Sequence, residues 1–192
     1  MVTIHAEDWF TVYKGPFFED ESEEEPDVTG APAVFLRQLR DMIPTWRSFD
    51  VTDNDTLACY ENERLRIVVN ISDSEAKAVV GCLRVEVSDH DWQAAWVAPS
   101  RGIGDPSMAD ADPHDSAGGS AATEQGVVDE AVGWLLAQLQ RPITRYVWRD
   151  RGRVVAEDWR LTDSGRPLVG SGSRELLNGP LEAADAAIQV RP

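Results

Sequence analysis

Five residues near the C-terminus, Gly170, Ser171, Gly172, Ser173 and Arg174, are of the types that hold anions: small residues free the backbone amides, and an arginine adds charge. The spacing has neither the third glycine of a dinucleotide fingerprint nor the lysine of a P-loop. A turn leading into a helix capped by Ser173 is the plainer expectation, with Gly170, Gly172, Ser173 and Arg174 kept as an alternative anion site. His90 lies between Asp89 and Asp91, and a neighbouring carboxylate could orient its ring for acid/base work. No serine or cysteine can be assigned to it, and Ser88-Asp89-His90-Asp91 is equally good turn chemistry. Asp110, Asp112, His114 and Asp115 alternate as hard-metal ligands do, yet the glycine and glutamate that a calcium loop requires are replaced by Asp115 and Ala121. No metal and no cofactor are expected.

Glu157 and Asp158 are adjacent on an expected strand, where they face opposite sides and make a poor acid/base pair. Glu157 is expected to pair with Arg145, Arg149 or Arg166. Seven of the sixteen arginines fall between Trp134 and Arg166, close to three of the seven tryptophans, in a chain of net charge -16. Arginine and tryptophan commonly anchor interfaces, so Arg145, Trp148, Arg149, Arg153 and Arg160 are the candidate partner-binding residues. Between Arg141 and Arg166 the net charge is only +3, and Trp134, Trp148 and Trp159 are expected to pack largely into the core. With 34 acidic side chains, nucleic acid and anionic membrane are expected to be repelled.

These residues must be held by a frame whose outline is readable. Residues 32–43 place Phe35, Leu39, Met42 and Ile43 on one helical face, with Pro44 as the stop. Strands are expected at 57–60 and 65–71 about a turn at Glu61-Asn62-Glu63, then at 78–87 and 92–98. Thr123 caps a helix over 123–140 whose stripe is Val128, Val132, Leu135, Leu136 and Leu139. A meander over 143–149, 153–161 and 166–169 follows, with turns at Asp150-Arg151-Gly152 and Asp163-Ser164-Gly165. From Ser173 the chain reads as helical, broken at Asn178-Gly179-Pro180 and resuming to Ile188.

Two segments stand apart: an acidic N-terminal segment, residues 1–30, with nine acids and one lysine, expected to be partly disordered with Glu19 to Asp27 as a solvated run, and a flexible acidic linker over 103–122 rich in Pro, Gly, Ser and Asp. Between them, 31–102 carries a helix and antiparallel strands, and 123–192 a helix, the meander and a C-terminal helix, together one domain. Cys59 and Cys82 lie in apolar strands and are expected to be buried thiols. No apolar run approaches the ~18 residues of a membrane span, and residues 1–4 open no secretory leader, so the chain reads as cytoplasmic.

The fold class expected is therefore α+β with a mainly antiparallel sheet. This element order, in a small acidic protein, resembles the secretion-chaperone-like fold. That resemblance implies two helices packed on one face of an antiparallel sheet, a binding role and dimerisation. The function expected is non-catalytic binding of a protein partner with a basic surface, as an inhibitor, immunity protein or chaperone, with a homodimer possible. The alternatives are a small-molecule or anion binder or enzyme with a site near Gly170 and Arg174 or at His90, and an acidic nucleic-acid mimic.

Overall fold

A computed structural model describes residues 9–14, 26–97 and 116–191. The protein is α+β, and its described residues form a mixed six-stranded sheet, a four-stranded antiparallel sheet and four α-helices. The first sheet runs in chain order: β1 (Val12–Lys14), β2 (Thr56–Glu61), β3 (Arg64–Asp73), β4 (Ala78–Val87), β5 (Asp91–Val97) and β6 (Ser116–Ser120). The pair β1–β2 is parallel, and the remaining neighbours are antiparallel. The second sheet has the order β10-β7-β8-β9, built from β7 (Ile143–Asp150), β8 (Arg153–Leu161), β9 (Pro167–Gly172) and β10 (Ala186–Arg191).

Alternation in the sequence sets the faces of the larger sheet. Register aligns Leu65, Val87 and Trp92 in one row, Ile67, Val85 and Ala94 in the next, and Val69, Leu83 and Trp96 in a third. These rows are buried with α1 (Gly30–Asp41) and α3 (Glu124–Leu139) in one apolar core. Two indole N–H groups are satisfied by α3: Trp92 donates to Glu130 at 2.9 Å and Trp96 to Gln138 at 2.9 Å. Thr123 caps α3 as expected, its hydroxyl accepting from Gly126 N at 3.1 Å, and the helix buries Val128, Val132, Leu135 and Leu139. Ile143, Trp159 and Leu161 of the second sheet join the same core.

Four elements differ from the sequence expectation. Pro44 does not end the helical region: after the C-cap at Met42, α2 (Ile43–Trp46) restarts with Pro44 in its first turn, where its missing N–H costs nothing. The acidic N-terminal segment contributes core, because Trp9 and Phe10 are fully buried beside β1. Ser116–Ser120, inside the expected linker, is an edge strand paired with β5. The C-terminal helix is absent: α4 (Arg174–Leu177) is a single turn, and the Ala-rich segment after it is β10, paired with β7. Ile188 and Val190 are β-branched and alternate with Ala187 and Gln189, a strand pattern that outweighs the helix propensity of alanine. Among the described residues, no helix is long and apolar enough to cross a membrane.

Candidate functional site

The candidate binding residues lie on the β7–β8 hairpin, and its register decides which of them can meet a partner. Arg145 pairs with Trp159, Val147 with Glu157 and Trp148 with Ala156. Arg145 points inward and is buried. Its Nη1 donates to Asp73 Oδ2 at 3.1 Å, and its Nη2 lies 3.1 Å from Glu75 Oε2. Trp159 Nε1 donates to the same Asp73 oxygen at 2.9 Å, while Asp73 Oδ1 accepts from the backbone amides of Glu75 and Ala76, each at 3.0 Å. Asp73 thus closes the β3–β4 turn with one oxygen and fastens the second sheet to the first with the other. The expected Glu157–Arg145 pair exists only as a long contact of 3.9 Å from Nε, beyond hydrogen-bonding reach.

Trp148 is also buried, on the other face of the hairpin, and no described residue accepts from its indole N–H. Arg160 is half-buried; its Nε donates to Asp158 Oδ2 at 2.6 Å and its Nη1 to Gly165 O at 3.2 Å. Arg145, Trp148 and Arg160 therefore do not belong to one accessible face with Arg149 and Arg153. Alternation along a strand cannot reveal that a second sheet covers one side of it and α4 packs on β8 and β9.

Arg149 and Arg153 remain outside, and the structure brings other residues to them. The ladder with β10 ends at Val147, and that with β9 ends at Ala156, so the hairpin tip continues as two strands alone. All seven residues from Arg149 to Val155 are exposed. They include Arg151, which sequence reading assigned only to a turn, and the valines 154 and 155, at 46% and 37% exposure among the most exposed large apolar side chains described. Arg151 and Gly152 take positive φ (49° and 78°), the two-residue turn that matches strand twist. The tip carries three arginines against Asp150, a local net charge of +2 in a chain of -16. The signal available in the sequence was Val154-Val155, two apolar residues in succession where alternation calls for one.

The anion alternative is not supported by the geometry. Gly170, Ser171 and Gly172 belong to β9, and Gly170 is packed closely under Leu177. At Gly172 (φ 98°) a Cβ would meet Val155 O at 2.2 Å, so glycine serves strand approach there. Ser173 makes no side-chain cap; its N–H donates to Val155 O, and Arg174 begins a four-residue helix. His90 is exposed in the turn before β5. Its neighbours are engaged elsewhere: Asp89 Oδ1 accepts from Ala31 N at 3.0 Å at the start of α1, and Asp91 pairs with Arg64 at 2.9 Å, which holds its carboxyl below the ordinary value. Asp110, Asp112, His114, Asp115 and residues 19–25 lie outside the described residues.

A polar cluster absent from the sequence expectation lies on the second face of the larger sheet. Register puts Arg66 beside Glu86 and Glu86 beside Gln93. Arg66 Nε donates to Glu86 Oε1 at 2.8 Å, Arg84 pairs with the same carboxylate, and Gln93 Nε2 donates to Oε2 at 2.7 Å. Burial acts to raise the Glu86 pKa, but the two guanidiniums outweigh it and hold it below its ordinary value. A small cavity of about 90 Å³ opens beside Cys59, Arg64, Arg66 and Glu86. Cys59 and Cys82 are buried free thiols, and burial pushes Cys82 up to about 11, too high for a ready nucleophile. A lowered carboxylate adds stability above its unfolded pKa and loses it as pH falls through the folded value. The urea midpoint is therefore expected to drop below about pH 4, and Glu86→Gln should narrow that drop by removing one contributor. Parallel pH profiles for wild type and variant would show that Glu86 contributes nothing.

No protein-family model matches this chain, and neither a curated protein nor a solved structure shows significant similarity to it.

Proposed function

We propose that this is a non-catalytic binding protein for another protein, with the β7–β8 tip as its contact. The observation that carries this reading is the run of seven exposed residues from Arg149 to Val155, with Val154 and Val155 flanked by Arg149, Arg151 and Arg153. Arginine is enriched at interface anchors, and the two exposed valines add apolar area beside the three arginines. The net charge of -16 accelerates encounter with a basic partner at long range. At contact the tip then occupies an apolar recess of that partner, with carboxylates around it to meet the arginines. Such a protein acts as an inhibitor, immunity protein or chaperone of its partner.

The test compares partner capture and kinetics for wild type and for the double variant Val154→Ser, Val155→Ser. Both residues are exposed, so the melting temperature should hold while dissociation accelerates about tenfold or more. Association should slow as salt rises. Unchanged dissociation by the double variant, or association indifferent to salt, would overturn the reading.

A further inference from the structure

The two valines of the hairpin tip are neighbours in sequence, yet a regular strand sends neighbours to opposite faces. The register supplies the reason both are exposed. Trp148 pairs with Ala156 and Arg149 with Val154, so Val155 is one residue too many: β8 carries a bulge, with Val154 and Val155 together opposite Arg149. Past the ends of β9 and β10 the hairpin therefore continues in a new register. A two-stranded ribbon is marginal in water by itself, and a bulge within one needs external support to keep its register.

That support comes from the ends of both flanking strands. On the β9 side, the Ser173 N–H donates to Val155 O at 3.2 Å. Gly172 approaches so closely that a Cβ would lie 2.2 Å from Val155 O and 2.7 Å from Ala156 Cα, and its φ of 98° favours glycine. On the β10 side, Asp185 reaches β7 twice: its N–H donates to Val147 O at 2.9 Å, and its carboxylate Oδ2 accepts from the Arg149 N–H. Arg149 and Val155 are the residues at which the register changes, so both grips fall on the bulge itself. Beyond them, no described residue pairs with the guanidiniums of Arg149, Arg151 or Arg153, whereas Arg64, Arg84, Arg141, Arg145 and Arg160 each meet a carboxylate. The protein fixes the backbone of this segment and leaves its charges unspent.

We infer that Gly172 and Asp185 are positioning residues for the contact proposed above: they lock the Val155 bulge, so that Val154, Val155 and the three arginines meet a partner in one fixed shape. The inference rests on the tip being that contact, and adds that the tip is formed before the partner arrives. Both residues act through the backbone of Val155 and Arg149. Ordering the tip in advance removes its conformational cost from the binding step.

The experiment is backbone NMR relaxation and amide exchange on the full chain without a partner, comparing wild type with Asp185→Ala, Asp185→Asn and Gly172→Ala. Wild-type residues 149–155 should show order parameters near those of a rigid backbone, about 0.85. Asp185→Ala should lower them and speed exchange of the Arg149 amide about tenfold, as loss of one hydrogen bond implies. Asp185→Asn keeps an oxygen acceptor and should restore most of that protection. Asp185 is exposed, so the melting temperature should hold in both of its variants while the order of the tip changes. Gly172→Ala should loosen the same residues from the other side and speed exchange at Ser173. Wild-type order parameters below about 0.6 in the tip, or tip order unchanged in both alanine variants, would overturn the positioning role alone. A rigid tip that these variants loosen, combined with unchanged partner dissociation by the valine double variant, would overturn the contact and the positioning role with it.

Discussion

Asp73→Ala is expected to lower stability by about 3–5 kcal/mol, read as a fall in the urea midpoint at neutral pH. The cause is the charge left behind. Arg145 has 6% of its side chain exposed and loses the carboxylate that neutralises it, retaining Glu75 at the solvent rim and Glu157 at 3.9 Å. The same truncation leaves the Trp159 indole N–H and two turn amides without their acceptor. Most small domains have only about 5–15 kcal/mol in hand, so the variant should be marginal at 37 °C. Asp73→Asn keeps an oxygen for the turn amides and should lose less. Asp73→Ala, Arg145→Met should be more stable than Asp73→Ala alone, because removing the stranded charge repairs most of the defect. If the double variant proves as unstable as the sum of its singles, Asp73 and Arg145 do not act as one clamp.

Phe10→Ala is expected to cost a similar amount, about 3–5 kcal/mol, as for other fully buried aromatics. Phe10 has no exposed surface, and its ring meets Trp46 edge-on with centroids 5.3 Å apart. The backbone around it is held by Arg40, whose Nε donates to Trp9 O at 3.2 Å and whose Nη2 donates to Phe10 O at 3.1 Å. Phe10 itself sits at φ 55°, a conformation an aromatic residue adopts only where its surroundings impose it. Truncation would leave a cavity beside Trp9 and Trp46, so the stability loss should come with a shift in tryptophan emission. A solvated N-terminal segment would show neither effect. An unchanged midpoint for Phe10→Ala would place residues 9–14 outside the core.

The legible parts of the fold share one property: a long periodic pattern with a local stop signal. Alternation from Leu65 to Ile71 and from Leu83 to Val87 survives in β3 and β4, because one face meets a helix layer and each residue's side follows from its neighbour's. Val79, expected on the apolar face, is exposed and Val80 is buried instead, beside a register irregularity between Ile71 and Ser72. The helix from Glu124 to Leu139 was readable from Thr123 and its apolar stripe. The misread parts are short or compositionally disguised. Trp9-Phe10 stands among acids that dominate any window average, Ser116–Ser120 has no apolar periodicity, and Ala186–Arg191 uses helix-favouring alanines in a strand. Each is an edge or end whose state depends on a neighbouring strand far away in sequence.

The candidate site was legible by region and not by residue. Clustering of arginine and tryptophan drew attention to residues 134–166, and the exposed hairpin tip falls within that range. Arg145 and Trp148 were nevertheless assigned to it, and Arg151, Val154 and Val155 were not. The partner of Arg145 is Asp73, 72 positions away, and no local rule connects them. By itself, the sequence determined the helices with strong periodicity, the hairpin turns and the excess of negative charge, because these depend on interactions within a few residues. Only the tertiary structure decided which arginines are neutralised inside, which remain at the tip, and that Ala186–Arg191 is a strand paired with β7. Burial and charge pairing are properties of surfaces brought together across the chain, and the second sheet has to dock before any side chain of β7 has an inside or an outside.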